Sequence, residues 1–268
     1  MGEPFSNNDQ SFLELSEWQH KCPGLIAGFT TRNGGVSKSP FNTFNLGLHV
    51  NDLDEDVITN RTKLAQKLDI PLSSWVSGTQ VHGKNIKVVE LSDKGRGSYH
   101  IHDGIQDTDG LITNKRGLLC TAFFADCVPL FFFDPQTLLI GIAHAGWQGT
   151  VKGIGAQMVN IFSNHGVDIQ HLLVCIGPCI SGEKYEVDDR VISQIHKKYY
   201  NSTVTQLENK RYLLDLKQLN VEILLQSGVL RHNISITNYC TYLDDDLFFS
   251  HRRDRGKTGR MLGYIGYT

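Results

Sequence analysis

The stretch LLCTAFFADCVPLFFFDPQTLLIGIAHAGW, residues 118–147, is apolar almost throughout, yet it carries Asp126, Cys127, Asp134 and His144. Apolar runs of this kind, bounded by turn residues, are what strands buried on both faces look like. The segment Asp134-Pro135-Gln136-Thr137 reads as a turn, so the two runs are expected to pair as an antiparallel hairpin. With Asp134 opposite Thr137, Cys127 would stand directly opposite His144 on one face, their Cβ atoms roughly 4.5–5.5 Å apart. A slip of one residue would send the two side chains to opposite faces. Asp126 would point the other way, so it is expected to meet a cationic or backbone donor and not to serve as a ligand. A buried carboxylate without such a partner is costly.

Other strands are expected in LIAGFTTR (25–32), NIKVVEL (85–91), GLIT (110–113), LLVCIG (172–177), ISITN (234–238) and MLGYIGY (261–267). Helical spacing of apolar residues predicts helices over 54–68, about 150–163, 188–199 and 215–227, the last closing at Gly228. Strands and helices mix without strict alternation. The fold class is therefore α/β or α+β, with mixed β-sheets flanked by helices. Neither a repeat nor a Pro/Ser-rich linker interrupts the chain, so residues 1–268 are expected to form one domain, with roughly the first twenty residues frayed.

The 268 residues are 40% hydrophobic and 20% charged, with a formal net charge of −2. That balance offers no electrostatic footprint for nucleic acid or an acidic membrane, so a small-molecule substrate is expected. The longest apolar run contains Asp126 and Pro129 and falls short of the roughly 18 residues of a membrane span. The N-terminal segment lacks the basic and apolar regions of a secretory signal, which points to the cytoplasm and to six reduced cysteines. Cys175 and Cys179 in CIGPC are read as small buried residues around a turn, since no second Cys pair follows to complete a metal site.

Three readings compete for Cys127 and His144. They are a buried thiol beside a hydrogen-bonded imidazole, a Cys–His nucleophile couple, or part of a zinc site that needs a further ligand. His82, in the Gly-flanked turn of GTQVHGKN, is the best candidate for that ligand, and His49, His100 and His102 are weaker ones. After His144, AGWQGT runs small residues into a helix start. Gly146, Gly149 and Thr150 could bind an anion through free N–H groups, or the glycines could simply allow tight packing. Arg61 projects from the middle of the apolar stripe Val57, Ile58, Leu64, Ala65 and Leu68. Inside, it must meet a carboxylate, Asp126 or Asp109, or a substrate phosphate. RRDRGKTGR (252–260) lacks the glycine spacing of a phosphate loop and is left as a basic loop.

The motifs FTTRNGGVS, FNLGLHVND, QVHG, ADCVPL, AHAGWQGT, IGPCI, CTY and FFSHRRDRGKTGRM resemble, in this order, those of the YfiH/YlmD-like laccase-domain family. The resemblance covers residues 24–268; one departure is His251, where an aromatic residue often stands. It implies a four-layer α/β/β/α arrangement and a zinc ion held by His82, Cys127 and His144. It also implies that Asn45 and Arg61 contact substrate or phosphate. The activity implied is zinc-dependent purine nucleoside phosphorolysis of adenosine, inosine, guanosine or methylthioadenosine with inorganic phosphate, with adenosine deamination on the side. Three protein ligands leave a position open, as at catalytic zinc sites. The alternatives are phenol oxidation with copper (Cu2+) and amide hydrolysis of a cell-wall precursor through Cys127. A monomer or weak homodimer is expected.

Overall fold

A computed structural model describes residues 2–268 and places two six-stranded sheets face to face. The first runs, in spatial order, Ser6–Asp9, Phe12–Glu14, Leu25–Thr30, Met261–Tyr267, Leu118–Phe124 and Trp75–Ser77. The second runs Ile234–Ile236, Leu173–Ile176, Val128–Phe133, Ile140–Ala145, Gly110–Thr113 and Ile86–Val88. Each contains both parallel and antiparallel pairs. A small third sheet joins Glu186–Asp188, Arg211–Leu214 and Val204–Gln206.

Period-two alternation explains how these strands bury both faces. In Leu118–Phe124, Leu118, Cys120, Ala122 and Phe124 enter the layer between the sheets, while Leu119 and Phe123 pack towards the helix Asp54–Lys67. In the second sheet Phe131, Phe133, Ile140 and Ile142 face that same inner layer. Val128, Leu130, Phe132, Ala143 and Ala145 face outward, against the helices Ile154–Asn164 and Leu216–Gln226. The layer order is helix, sheet, sheet, helix.

Several expectations change. Residues 2–20 are built into the fold: Ser6–Asp9 and Phe12–Glu14 extend the first sheet, Phe5 and Trp18 enter its core, and Glu3 accepts from Thr237 and Asn238. The helix expected over 150–163 is two pieces, Trp147–Val151 and Ile154–Asn164, because Gly153 adopts φ +85° between them. The helix expected over 188–199 is likewise broken, into Asp189–Ile192 and a single 3-10 turn at Lys197–Tyr199. Leu216–Gln226 matches its expectation, with the Asp215 carboxylate accepting from the Gln218 N–H as an N-cap.

The hairpin register also differs. The Asp134 carboxylate accepts from both the N–H and the hydroxyl of Thr137, at 2.8 and 2.7 Å, and the turn widens until the Asp134 N–H reaches the Leu139 carbonyl. Pro129, not Cys127, therefore stands opposite His144. The slip is two residues, and an even slip preserves the face. Cys127 sits just before the paired strand, in the bend where the chain leaves the first sheet at Phe124 and enters the second at Val128.

Candidate metal centre

A second segment makes the same crossing. The chain leaves the first sheet at Ser77 and joins the second at Ile86, and His82 lies between them. Trp75–Ser77 pairs in parallel with residues 119–121, so both strands leave the sheet at the same end. This brings His82 to Cys127, and both meet His144, three residues before the helix Trp147–Val151 begins.

The ligand atoms of His82, Cys127 and His144 lie within 4.8 Å of one another. Cys127 Sγ is 3.9 Å from His82 Nε2, and the two imidazole rings meet edge to face at 4.7 Å between centroids. His144 is buried, while His82 keeps contact with solvent, so the cluster opens to one side. Gly146 closes another side at short range. A Cβ there would stand 2.8 Å from His82 Cδ2 and 3.0 Å from Cys127 Sγ.

Asp109 organises the cluster. Its Oδ1 accepts a hydrogen bond from His144 Nδ1 at 2.8 Å, which fixes the ring and leaves Nε2 for the site. The same carboxylate accepts from the N–H groups of Val81, His82 and Gly83 at 3.1, 3.1 and 2.7 Å. His82 has φ +56°, a left-handed conformation that ordinary side chains avoid. The three N–H groups form an anion nest around Asp109 that holds the turn in this shape. Two further ties act on the turn. The Gln80 amide bonds to both the N–H and the carbonyl of Phe123, and Lys152 Nζ donates to the His82 carbonyl at 3.0 Å.

The electrostatics suit a cation. Burial pushes the Cys127 thiol up, but His144 and His82 outweigh it and hold the thiol below the usual cysteine range. Burial pulls His144 down, yet Cys127 and Asp109 hold its imidazole above the usual range. Burial raises Asp109 too, and the His144 bond with the nest outweighs that, so it stays ionised. A thiolate and two imidazoles, one oriented by a carboxylate, are the donor set of a zinc or copper ion. The residues fit a metal.

The other expected site residues are not among the three ligands. Neither Asp126 nor Asp109 is the partner of Arg61, which donates to the carbonyls of Leu46, Gly97 and Ser98 and stacks 4.8 Å over Phe123. Burial lowers its pKa to about 9, and it lines a cavity of about 130 Å³ with His49, Gln80 and Phe123. Asn45 is buried, and its amide bonds Gly47, Asp52 and the Arg260 N–H, so it shapes a loop. Thr150 turns its hydroxyl to Asn220 and the Ala145 carbonyl. Gly149 meets the chain under the His82 turn: a Cβ there would lie 2.9 Å from the Gly83 carbonyl. Cys175 and Cys179 are buried thiols, with burial raising both pKa values. From the sequence, Asp109 is expected only as a partner for Arg61. In the sequence it reads as a turn residue of DTDG, and no local pattern marks its role.

Residues 26–268 match the family model described as multi-copper polyphenol oxidoreductase laccase. The purine nucleoside phosphorylase YlmD of Bacillus subtilis is 44% identical over 98% of this chain and 97% of its own length. The crystal structure of the Bacillus licheniformis hypothetical protein YfiH superposes with a TM-score of 0.95 at 40% identity, covering 99% of both chains. That of YlmD from Geobacillus stearothermophilus does so with a TM-score of 0.94 at 40% identity, again over 99% of each. With matches of this extent over a site built from its own QVHG, ADC and HAGW motifs, the chain belongs to the laccase-domain family that includes YfiH and YlmD.

Proposed function

We propose that the protein is a zinc-dependent purine nucleoside phosphorylase. It would cleave adenosine, inosine, guanosine or methylthioadenosine with inorganic phosphate, giving free base and ribose or methylthioribose 1-phosphate. The observation that carries the reading is the His82–Cys127–His144 cluster, with its ligands oriented by Asp109 and one side open, in a chain 44% identical to a protein of that name.

In phosphorolysis a phosphate oxygen bonds to C1′ while the C1′–N9 bond breaks, and the base leaves with a proton. A zinc ion held by His82, Cys127 and His144 would supply positive charge as a Lewis acid. The protein favours Cys127 as thiolate, orients His144 by its Nδ1–H bond to the Asp109 carboxylate and fixes His82 in its turn. Adenosine deamination belongs to the same proposal as a side activity, seen as inosine formed without phosphate. The reading places the enzyme in the cytoplasm, acting on small molecules as a monomer or weak dimer. No helix among the described residues is long and apolar enough to cross a membrane.

Two rivals make different demands. Among the described residues one group of three or more side chains could hold a metal, whereas a multicopper oxidase needs several ions. Amide hydrolysis through Cys127 is favoured by the depressed thiol pKa. It would survive metal removal, which phosphorolysis would not. The deciding experiment incubates the protein with a nucleoside panel, with and without phosphate, and scores free base and sugar 1-phosphate alongside metal content. Base release should require phosphate and should disappear with the zinc in His82→Ala. Base release independent of phosphate, or stoichiometric copper with phenol oxidation, would sink the proposal.

A further inference from the structure

The loop of residues 256–260 and the segment 40–51 enclose a second cavity, of about 430 Å³, lined among others by Phe41, His49, Asn51, Lys257 and Arg260. No carboxylate lines it. Arg260 is held ready rather than neutralised. Its Nη1 donates to the carbonyls of Thr258 and Gly259, each at 2.9 Å, and its N–H donates to Asn45 Oδ1 at 2.9 Å. Its stem passes a glycine that leaves no room for a side chain: a Cβ on Gly47 would stand 2.8 Å from Arg260 Cγ and 3.2 Å from His49 Cε1. Among the described residues Arg260 forms no ion pair, and its Nε and Nη2 donate to no protein acceptor.

A half-buried guanidinium with no carboxylate and two spare donors is tuned for an incoming anion. Burial disfavours its charge. The loop that carries it is tied to the bend before Cys127, where the Arg252 N–H donates to Asp126 at 2.7 Å, and its neighbour His49 also lines the cavity of Gln80 and Phe123. Lys257 adds a second cation at the exposed rim. Arg61 is a poorer seat. Three of its hydrogen bonds already end on carbonyls, and its cavity is less than a third as large.

We propose that Arg260, assisted by Lys257, seats a phosphate group next to the His82–Cys127–His144 cluster. That group is either inorganic phosphate or the phosphate of a sugar 1-phosphate. The proposal rests on the phosphorylase reading for the role of the anion but not for its binding. The loop that positions Arg260 is thus a binding element of the site, and Asn45 supports it from below.

The test titrates zinc-loaded wild-type, Arg260→Gln, Arg260→Lys and Lys257→Ala proteins with inorganic phosphate and separately with ribose 1-phosphate by calorimetry. It also measures the phosphate KM and zinc content. Losing a charge-assisted contact should weaken phosphate binding about 10–100-fold in Arg260→Gln. Lys257→Ala, at an exposed position, should weaken it only about 2–5-fold. Zinc content and nucleoside affinity should hold in both, and Arg260→Lys should recover part of the loss. Weakened binding of ribose 1-phosphate alone assigns the seat to the product; parallel loss for both assigns it to either anion. Unchanged affinity for both anions in Arg260→Gln, or an equal loss of nucleoside affinity, would overturn the proposal. If Arg260→Gln does not fold, Lys257→Ala decides alone, and unchanged anion affinity there overturns it. Arg260-dependent phosphate binding without any base release would leave the seat standing and remove the phosphorylase reading. Phosphorolysis with an unchanged phosphate KM in Arg260→Gln would do the reverse.

Discussion

Asp109 and Asp126 flank the same three ligands, both are at least nine-tenths buried, and neither belongs to the cluster itself. Asp109 bonds a ligand ring and three consecutive N–H groups of the His82 turn. Asp126, in a left-handed bend at φ +84°, accepts from the Thr241 hydroxyl and the Arg252 N–H, each at 2.7 Å. The first therefore acts on the basicity and direction of a metal ligand. The second acts on the path of the chain, tying the bend before Cys127 to the C-terminal loops. One residue type at one depth has two roles, and the difference lies in what accepts or donates at each oxygen.

That contrast can be broken. Asp109→Ala should have the largest effect. It strands His144 and three N–H groups, costing about 3–5 kcal/mol as for a broken buried pair. Loss of the carboxylate that orients a ligating histidine should also lower metal affinity about 10–100-fold. Denaturant melts and a competitive zinc titration read the two effects. The same carboxylate sets an acid limit on the metal-free protein. Its folded pKa lies below the ordinary value of 3.8, so its stabilisation is complete above that value and is lost as pH falls through the folded pKa. In Asp109→Asn the acid-side fall of the denaturant midpoint should be shallower.

Gly146→Ala comes next. The new methyl would lie 2.8 Å from the His82 ring, and overpacking of this kind costs about 1–3 kcal/mol. Zinc affinity should fall with it, because the crowding falls on two ligands. Asp126→Asn keeps a residue type that tolerates the left-handed bend but loses the acceptor for one of its two donors, costing about 1–3 kcal/mol. Its zinc affinity should stay near wild type. A loss as large as that of Asp109→Ala would abolish the distinction between the two aspartates. The smallest effect is expected for Thr241→Val, about 1 kcal/mol from one hydrogen bond, with zinc binding unchanged in the same titration.

Much of this site was legible along the chain. The apolar runs within residues 118–133 placed the strands, and helical spacing placed Asp54–Lys67 and Leu216–Gln226. Arg61 in the middle of its stripe does project inward, though its partners are main-chain carbonyls that carry no sequence mark. The helix breaks near 153 and after Ile192 went unread, because apolar spacing continues across them while the backbone turns. The hairpin turn was misjudged because a side chain, Asp134, capped it more widely than its residue count suggests.

The sequence by itself set Cys127 and His144 on one face through its expected register, and the observed slip of two residues kept that face. Only the tertiary structure decided that Asp109 binds both His144 and the turn of His82, because those contacts join segments tens of residues apart. They exist because two parallel strands leave one sheet at the same end and cross together to the other. A period of two reports which way a side chain points. It does not report which distant donor or acceptor will satisfy it, and that depends on how the sheets stack.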